Sequence, residues 1–315
     1  MGEDIIRELP LVSCIVTCFQ KIPYLYEAVD SVLEQSYPQI ELIVADDGST
    51  GFAEKELSSY IEVRKRSNIK NVVILHQNMN VGTVQNIRYA LGFVAGSYCV
   101  NLDGDDVFDH DTVLSEMMEY MLSNQLDLLE CGKRRCDEKL NEIEMLPTIS
   151  ERKKLYKLKT AKKQYHSFAV LRFLNIGGGS GMLYMKDSVA RYGLFDSSYR
   201  NWQDGPSLLA YVRHGKRIPV NHEIIAIKYR GGGVSSYPGK NAIASKHIGT
   251  DRMRFIANNT VPDRWNPYFF RRRRFMFYYF WENARTKGQQ LLVLFRFPVM
   301  GLRLFMGNIK NRKFH

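Results

Sequence analysis

The chain has 315 residues, 45% of them apolar and 24% charged, which is enough for one large domain or two smaller ones around an ordinary core. Its amino terminus carries acids and a proline, and no window offers about 18 uncharged apolar residues, so neither a signal peptide nor a spanning helix is expected. The net charge of +11 is confined to residues 264–315, which hold 12 Lys/Arg against one acid, Glu282; residues 1–263 balance to zero.

In chain order, "LVSCIVTC" (11–18) predicts a buried strand. "PYLYEAVDSVLEQS" (23–36) opens on proline and puts Leu25, Ala28, Val29, Val32 and Leu33 on one face, as a helix does. "IELIVA" (40–45) predicts a second strand, and a helix is expected within 52–66. "NVVILH" (71–76) predicts a third strand, and "GTVQNIRYALGFVAG" (82–96) a helix ended by Gly96. "SYCVNL" (97–102) is a fourth strand, 110–123 a helix, and "LDLLEC" (126–131) a fifth strand. This βαβα rhythm argues for a mostly parallel sheet covered by helices on both faces.

Beyond it, residues 147–165 are basic and lack clean periodicity, as a solvated helix or loop would, or a wall that meets an anionic substrate. A glycine-rich turn at Gly178–Gly181, a strand near 181–186 and a short helix follow. Residues 203–215 predict a helix with a carboxylate near its start, and two strand-like runs lie around 216–230. The five cysteines, Cys14, Cys18, Cys99, Cys131 and Cys136, are too scattered for a disulfide framework and read as buried thiols, which suits a cytoplasmic location.

Open α/β sheets bind ligands beyond the carboxyl ends of their strands. Three polar clusters fall there: "DDGST" (46–50), "QNMNVG" (77–82) and "DGDD" (103–106). Asp103, Asp105 and Asp106 place like charges within four residues, which repel unless something relieves them. Mg²⁺ or Mn²⁺ does so with few carboxylates when phosphate oxygens complete its shell. The competing reading is a helix start with acids at the positive end of the dipole, a job open to Asp109 and Asp111.

Five elements in order resemble the family 2 glycosyltransferases with the A-type nucleotide-sugar fold: "VSCIVTCFQ" (12–20), "ELIVADDGST" (41–50), "NMNVGTVQN" (78–86), "VNLDGDDVFDHD" (100–111) and "GLFDSSYRNWQDGPSLLAYVRHG" (193–215). The resemblance covers roughly residues 10–235. It implies an α/β fold with a mostly parallel, Rossmann-like sheet flanked by helices. The catalytic unit would be 1–235, with a nucleotide-binding half at 1–130 and an acceptor half at 165–235; residues 236–315 would be a helical, basic extension. Thr17 and Phe19 would stand at the nucleotide base. Asp47 would accept a hydrogen bond from a uracil ring while Asp46 orients the loop. Asn80 and Gly82, with Asn86 beside them, would approach the donor. Asp103 would lie near the ribose, Asp105 would reach a Mn²⁺ or Mg²⁺ on the diphosphate, and Asp106 would stand behind them. Where such enzymes often carry Glu-Asp, this chain has Gln203-Asp204, so Asp204 is the expected base, ionised at rest without a large pKa shift.

The reaction implied is an inverting transfer from a UDP-sugar to a glycan or lipid-linked acceptor in bacterial surface polysaccharide synthesis. A nucleotidyltransferase would need a glycine-rich basic loop after strand one, which "TCFQKIPYLY" lacks. A catalytically silent module on the same fold would not need to keep both Asp105 and Asp204. Lys228 and Arg230 can reach phosphate or form surface pairs, Trp202 can stack on an acceptor sugar or pack in the core, and His222 and His247 are weaker candidates for a metal shell. In the tail, Leu291–Met306 is apolar but broken by Arg296, Pro298 and Arg303, which fits a helix lying in the inner membrane interface better than one crossing it. Packing on the catalytic unit, a homo-oligomer interface and nucleic-acid binding are the competing readings, and the active-site motifs argue against the last.

Overall fold

The computed structural model describes residues 9–20, 22–169, 179–230, 249–255, 258, 276–277, 280–281, 284, 286–299 and 301–302. Gly178, His247, the glycine run at 231–233 and the arginine block at 271–274 lie outside the described residues.

The first half is built as the alternation predicts. Strands β1 (Val12–Cys18), β2 (Ile40–Asp46), β3 (Ile69–His76) and β4 (Tyr98–Asp103) alternate with helices α1 (Ile22–Leu33), α2 (Glu54–Arg64) and α3 (Thr83–Leu91). β1 pairs in parallel with β2 on one side and β4 on the other, and β3 extends the sheet beyond β2. These strands are apolar on successive residues because helices cover both faces. The side chains of Val12, Cys14 and Val16 enter one core with Leu25, Val29 and Leu114; those of Ile15 and Ile43 enter another with Val84, Ile87 and Phe195.

The second half turns the sheet. After the short β5 (Val107–Phe108) and α4 (Val113–Ser123) come β6 (Leu128–Cys136), β7 (Glu142–Leu146), α5 (Ile149–Tyr156), α6 (Ala161–Ala169) and β8 (Leu183–Met185). Then follow α7 (Lys186–Tyr192), α8 (Asp204–Arg213) and β9 (Val220–Arg230). β8 inserts antiparallel between β4 and β6, and the strand order is β3-β2-β1-β4-β8-β6-β9-β5, with β7 on β6. The parallel β6–β9 pairing slips at Cys131, Gly132 and Lys133. A slip of this kind breaks strict alternation. It is how Glu130 and Lys133, three apart, come to lie 3.8 Å from each other.

Several boundaries differ from the sequence expectation for physical reasons. The helix expected over 82–96 stops at Leu91, because the N–H groups of Ala95 and Gly96 are spent on Glu41 and Ser13 instead of on a further helical turn. The strand expected at 126–131 runs on to Cys136 by pairing with β7 and β9. The two runs around 216–230 are one strand. α5 buries no residue and starts with a capping box between Thr148 and Glu151, the solvated helix among the readings for 147–165. All five cysteines are free and buried.

At the amino-end edge of the sheet, Glu41 is fully buried yet satisfied. It accepts from Ser13 Oγ at 2.5 Å, Asn71 Nδ2 at 2.8 Å and the Ala95 N–H at 2.8 Å. A buried carboxylate needs such partners. This one joins β1, β2, β3 and the turn before β4.

Candidate active site

Parallel pairing in register brings four strand ends to one edge. Thr17 is opposite Asp103, Cys18 is opposite Asp46, and Asp46 is opposite His76. The loops that follow, carrying Asp47, Asn80–Gly82 and Gly104–Asp106, therefore share one crevice, as the polar clusters predict.

Each loop is held by its own polar groups. Asp46 is buried; its Oδ2 accepts from the Ser49 N–H at 2.8 Å and meets His76 Nδ1 at 2.8 Å, and its Oδ1 accepts from the Ser49 hydroxyl. Asp47 accepts from Asn80 Nδ2 at 2.8 Å, Val81 N–H at 2.7 Å and Gly82 N–H at 2.9 Å. Burial raises its pKa, opposed by those two N–H groups and by Arg200. Asp47 thus ties the loop after β2 to the loop after β3. Arg200 Nη2 reaches the same loop, donating to Asn80 O at 2.9 Å and Oδ1 at 2.7 Å. Asn86, placed near the donor in the sequence reading, instead caps the sheet from below: its Nδ2 donates to Ala45 O at 2.7 Å. Phe19 presents 46% of its surface to solvent beside the crevice.

The Asp103–Asp106 turn lies against β1. Gly104 N–H donates to Thr17 O at 2.6 Å, and a Cβ at Gly104 would stand 2.8 Å from that oxygen, so only glycine allows the approach. Thr17 Oγ1 donates to Asp103 Oδ1 at 3.4 Å. From behind, Ser180 Oγ accepts from Asp103 N–H at 3.1 Å and bonds the Asp106 carboxyl. Asp106 is buried and also takes the Arg230 N–H at 3.3 Å, while Asp103 and Asp105 are half-buried.

Asp204 opens α8 at its amino-terminal end, half-buried. A Cβ on Gly179 would strike the Gln203 side chain at 2.6 Å, so the glycine turn lets α8 approach the Asp103 loop closely. The charge of Asp204 acts on Asp103, which places the two carboxylates in one electrostatic field. Burial, with Asp105 adding to it, pushes the Asp103 carboxyl up to about 6, against Lys133 and Thr17. Burial also raises Asp106, with Asp105 and Asp103 adding. Asp204 is raised by burial, opposed by the Gly205 N–H and Lys133, so the expected ordinary resting base sits above its usual range.

This donor set fits a hard divalent cation. Crowded carboxylates with raised pKa values are stabilised by one, and such ions take one or two carboxylates with substrate phosphates. Among the described residues no group of three or more His, Cys, Asp or Glu could hold a metal unaided, and His222 joins none.

Several readings left open by the sequence are decided. Arg230 is no phosphate ligand: it is 5% exposed and donates to Asp105 O at 2.7 Å, Glu138 O at 3.1 Å and the Glu27 carboxylate. Asp109 does not cap α4; it receives Arg134 at 2.8 and 3.2 Å, and Thr112 stands at the cap position with no bond to the helix backbone, its hydroxyl donating to Glu116 Oε1 at 2.6 Å. Trp202 packs on Phe255 with ring centroids 5.0 Å apart, the core reading of that residue. Lys133, Arg200 and Asp251 escaped the sequence reading. Asp251 accepts the N–H groups of Arg200, Asn201 and Trp202 and so fixes the approach to α8. Nothing local in "LECGKRRC" sets Lys133 apart from its basic neighbours.

A sequence profile described as glycosyl transferase family 2 matches residues 13–188. A Haemophilus influenzae protein named an uncharacterized glycosyltransferase is 30% identical over 175 residues, 53% of this chain and 68% of that protein. The putative teichuronic acid biosynthesis glycosyltransferase TuaG of Bacillus subtilis is 34% identical over 113 residues, 36% of this chain and 42% of its own length. The matched stretches span 68%, 40% and 60% of the first three curated relatives. Among solved structures, the mannosyltransferase PcManGT from Pyrobaculum calidifontis in complex with GDP-Man and Mn²⁺ is similar with a TM-score of 0.59 at 15% identity, covering 96% of this chain and 81% of that one. S. aureus TarS 1–349 gives 0.57 at 14% identity over 91% of this chain and 72% of that one. At such identities the likeness establishes the A-type fold and nothing finer. With that fold shared, and with the profile spanning more than half its length, the chain belongs to glycosyltransferase family 2.

Proposed function

We propose that the protein is a metal-dependent, inverting glycosyltransferase. It moves a sugar from a UDP-sugar to a hydroxyl of a glycan or lipid-linked oligosaccharide in bacterial surface polysaccharide synthesis. The observation that carries this reading is the placement of Asp204, at the start of α8, near enough to the Asp103–Asp106 turn for its charge to act on Asp103. Residues 1–235 act as the catalytic unit, with 1–130 holding the nucleotide and 165–235 the acceptor, and 236–315 form the extension.

Asp204 takes the proton of the acceptor hydroxyl as that oxygen attacks the anomeric carbon from the face opposite the diphosphate. Its raised pKa makes it a better proton acceptor than an ordinary aspartate, provided it is ionised. Thr17 and Phe19 flank the nucleotide base, and Asp103 meets the ribose. Asp46 orients the 46–50 loop through Ser49, and Asp47, which accepts from the uracil ring, also ties that loop to Asn80 and Gly82, which line the donor. Asp105 would hold the Mn²⁺ or Mg²⁺, whose contribution when bound is to offset the charge growing on the departing diphosphate. Among solved neighbours, one was determined with UDP-GlcNAc and another with GDP-Man and Mn²⁺, which supports a nucleotide-sugar donor without choosing the sugar.

Titration calorimetry with UDP, GDP and dTDP, each with and without Mn²⁺, tests this reading. UDP is expected to bind, and only with Mn²⁺. Binding of none of the three ends the donor-site reading, and preference for GDP moves the donor class.

The extension is read as a contact with the cytoplasmic face of the inner membrane. Helix α9 (Lys287–Arg296) buries Val293 against Phe277 and Phe297. Its other face, continued by the residues just after it, leaves Leu291, Leu292, Phe295, Val299 and Leu302 between 58% and 89% exposed. A stripe of this size beside the net charge of +11 suits anionic headgroups over an acyl layer. No helix among the described residues is long and apolar enough to cross a membrane. Co-sedimentation with phosphatidylglycerol vesicles is expected to exceed that with phosphatidylcholine vesicles. It should fall roughly tenfold in Leu292→Asp/Phe295→Asp. Equal sedimentation of variant and wild type removes this contact.

A further inference from the structure

Behind the crevice lies a titratable pair that the transfer reaction as described does not use. Lys133 is 3% exposed and Glu130 is fully buried, both on β6. Lysine at such depth is rare without anionic company. The Lys133 ammonium donates to Ser180 O and stands 3.8 Å from Glu130 Oε2. Its positive charge acts on Asp103, Asp106, Glu130 and Asp204 together. Ser180 is also the residue that holds Asp103 and Asp106 from behind. Glu130 is the odd member: neither carboxyl oxygen accepts a hydrogen bond, although both are buried. Burial pushes its carboxyl up to about 8, only partly offset by Lys133, so it is largely protonated at neutral pH and leaves the Lys133 charge to the crevice.

We propose that Lys133 is a positioning residue of the donor site, a built-in counter-cation that holds the acids of the Asp103–Asp106 turn and Asp204 together and limits how tightly a divalent cation binds there. The proposal rests on the metal-dependent transferase reading. The electrostatics follow from position. Without any cation, four carboxylates gathered from β4, its following turn and α8 would repel one another. One fixed ammonium beneath them relieves part of that repulsion and leaves a net negative charge for the incoming ion. The same ammonium repels that ion, so binding is weaker than the acids alone would make it. Weaker binding suits a site that must release metal and nucleoside diphosphate in every turnover.

Removing the charge of Lys133 should therefore tighten metal binding, while Glu130 serves as the control that carries little charge at neutral pH. The test is Mn²⁺ binding to metal-free protein, followed by electron paramagnetic resonance of the free ion, with saturating UDP. Lys133→Met is expected to bind Mn²⁺ about fivefold more tightly than wild type, since a repelling charge is gone. Glu130→Gln, an isostere of the protonated acid, is expected to stay within about twofold of wild type at pH 7. Lys133→Arg should stay within twofold of wild type. A lysine that served packing alone would loosen the site on removal, so tightening is not its signature. Unchanged or weaker Mn²⁺ binding by Lys133→Met overturns the proposal while the donor site stands. Should Lys133→Met fail to fold, Lys133→Gln, which removes the charge but retains a polar donor, decides in its place: tighter binding supports the proposal, and unchanged or weaker binding overturns it. A wild type that takes up no Mn²⁺ removes the metal site and this proposal with it.

Discussion

Asp204→Asn is expected to lower kcat by about a thousandfold while leaving Mn²⁺-dependent UDP binding within a factor of about two, a loss typical of removing a general base. The amide keeps the shape of the side chain at the start of α8 and its contact with the Gly205 N–H, so the helix should hold. What it cannot do is take a proton. The measurement is steady-state transfer beside calorimetry on the same preparation. Loss of turnover and of nucleotide binding together would mean that Asp204 shapes the donor site and that the base lies elsewhere. The pH profile gives an independent check. Burial raises the pKa of Asp204, so its active, ionised form is lost at a higher pH than for an exposed aspartate. The acid limb of kcat/KM should fall as pH drops through that raised value, and Asp204→Asn should flatten it.

Asp105→Ala is expected to abolish the Mn²⁺ dependence of UDP binding and to weaken binding in the presence of Mn²⁺ by roughly a hundredfold. The fold should tolerate the change well. Asp105 enters the framework through its backbone carbonyl, which accepts from Arg230 Nη1 at 2.7 Å, and alanine retains that carbonyl. Removal also lightens the crowding on Asp103 and Asp106, whose carboxyls are both raised in part by Asp105. The metal-free variant is therefore expected to melt no lower than wild type while its nucleotide site fails. Binding and Mn²⁺ dependence both intact in Asp105→Ala would remove this residue from the metal site.

The contrast between these residues and Lys133 shows what was legible in the chain. The parallel half of the fold follows from runs such as "CIVTC" and "ELIVA", because strands covered on both faces must be apolar throughout. The place of Asp47, Asn80 and Asp103 follows equally, because a polar cluster directly after a buried strand has only the carboxyl edge to occupy. The second half was harder. β8 has three residues and β5 has two, too short for any period to register. The slip at Gly132 that turns Glu130 and Lys133 to one side arises from pairing with β9, some ninety residues away. Arg230 is a different case. A basic residue before a glycine run leaves phosphate contact and an ion pair equally open, and the fold commits its Nε, Nη1 and Nη2 to Glu138 O, Asp105 O and the Glu27 carboxylate.

The saturated polar knot at Glu41 has a practical consequence for anyone adapting this scaffold. It fastens three parallel strands at the rim opposite the crevice, so rigidity and chemistry are kept on separate rims of one sheet. Thermostabilising substitutions can be sought around that far rim with little risk to donor choice. Altering the donor, in turn, means rewriting loops whose anchorage does not depend on it. The scaffold can thus be diversified at one end while its foundation is reinforced at the other, and the two campaigns can run in parallel.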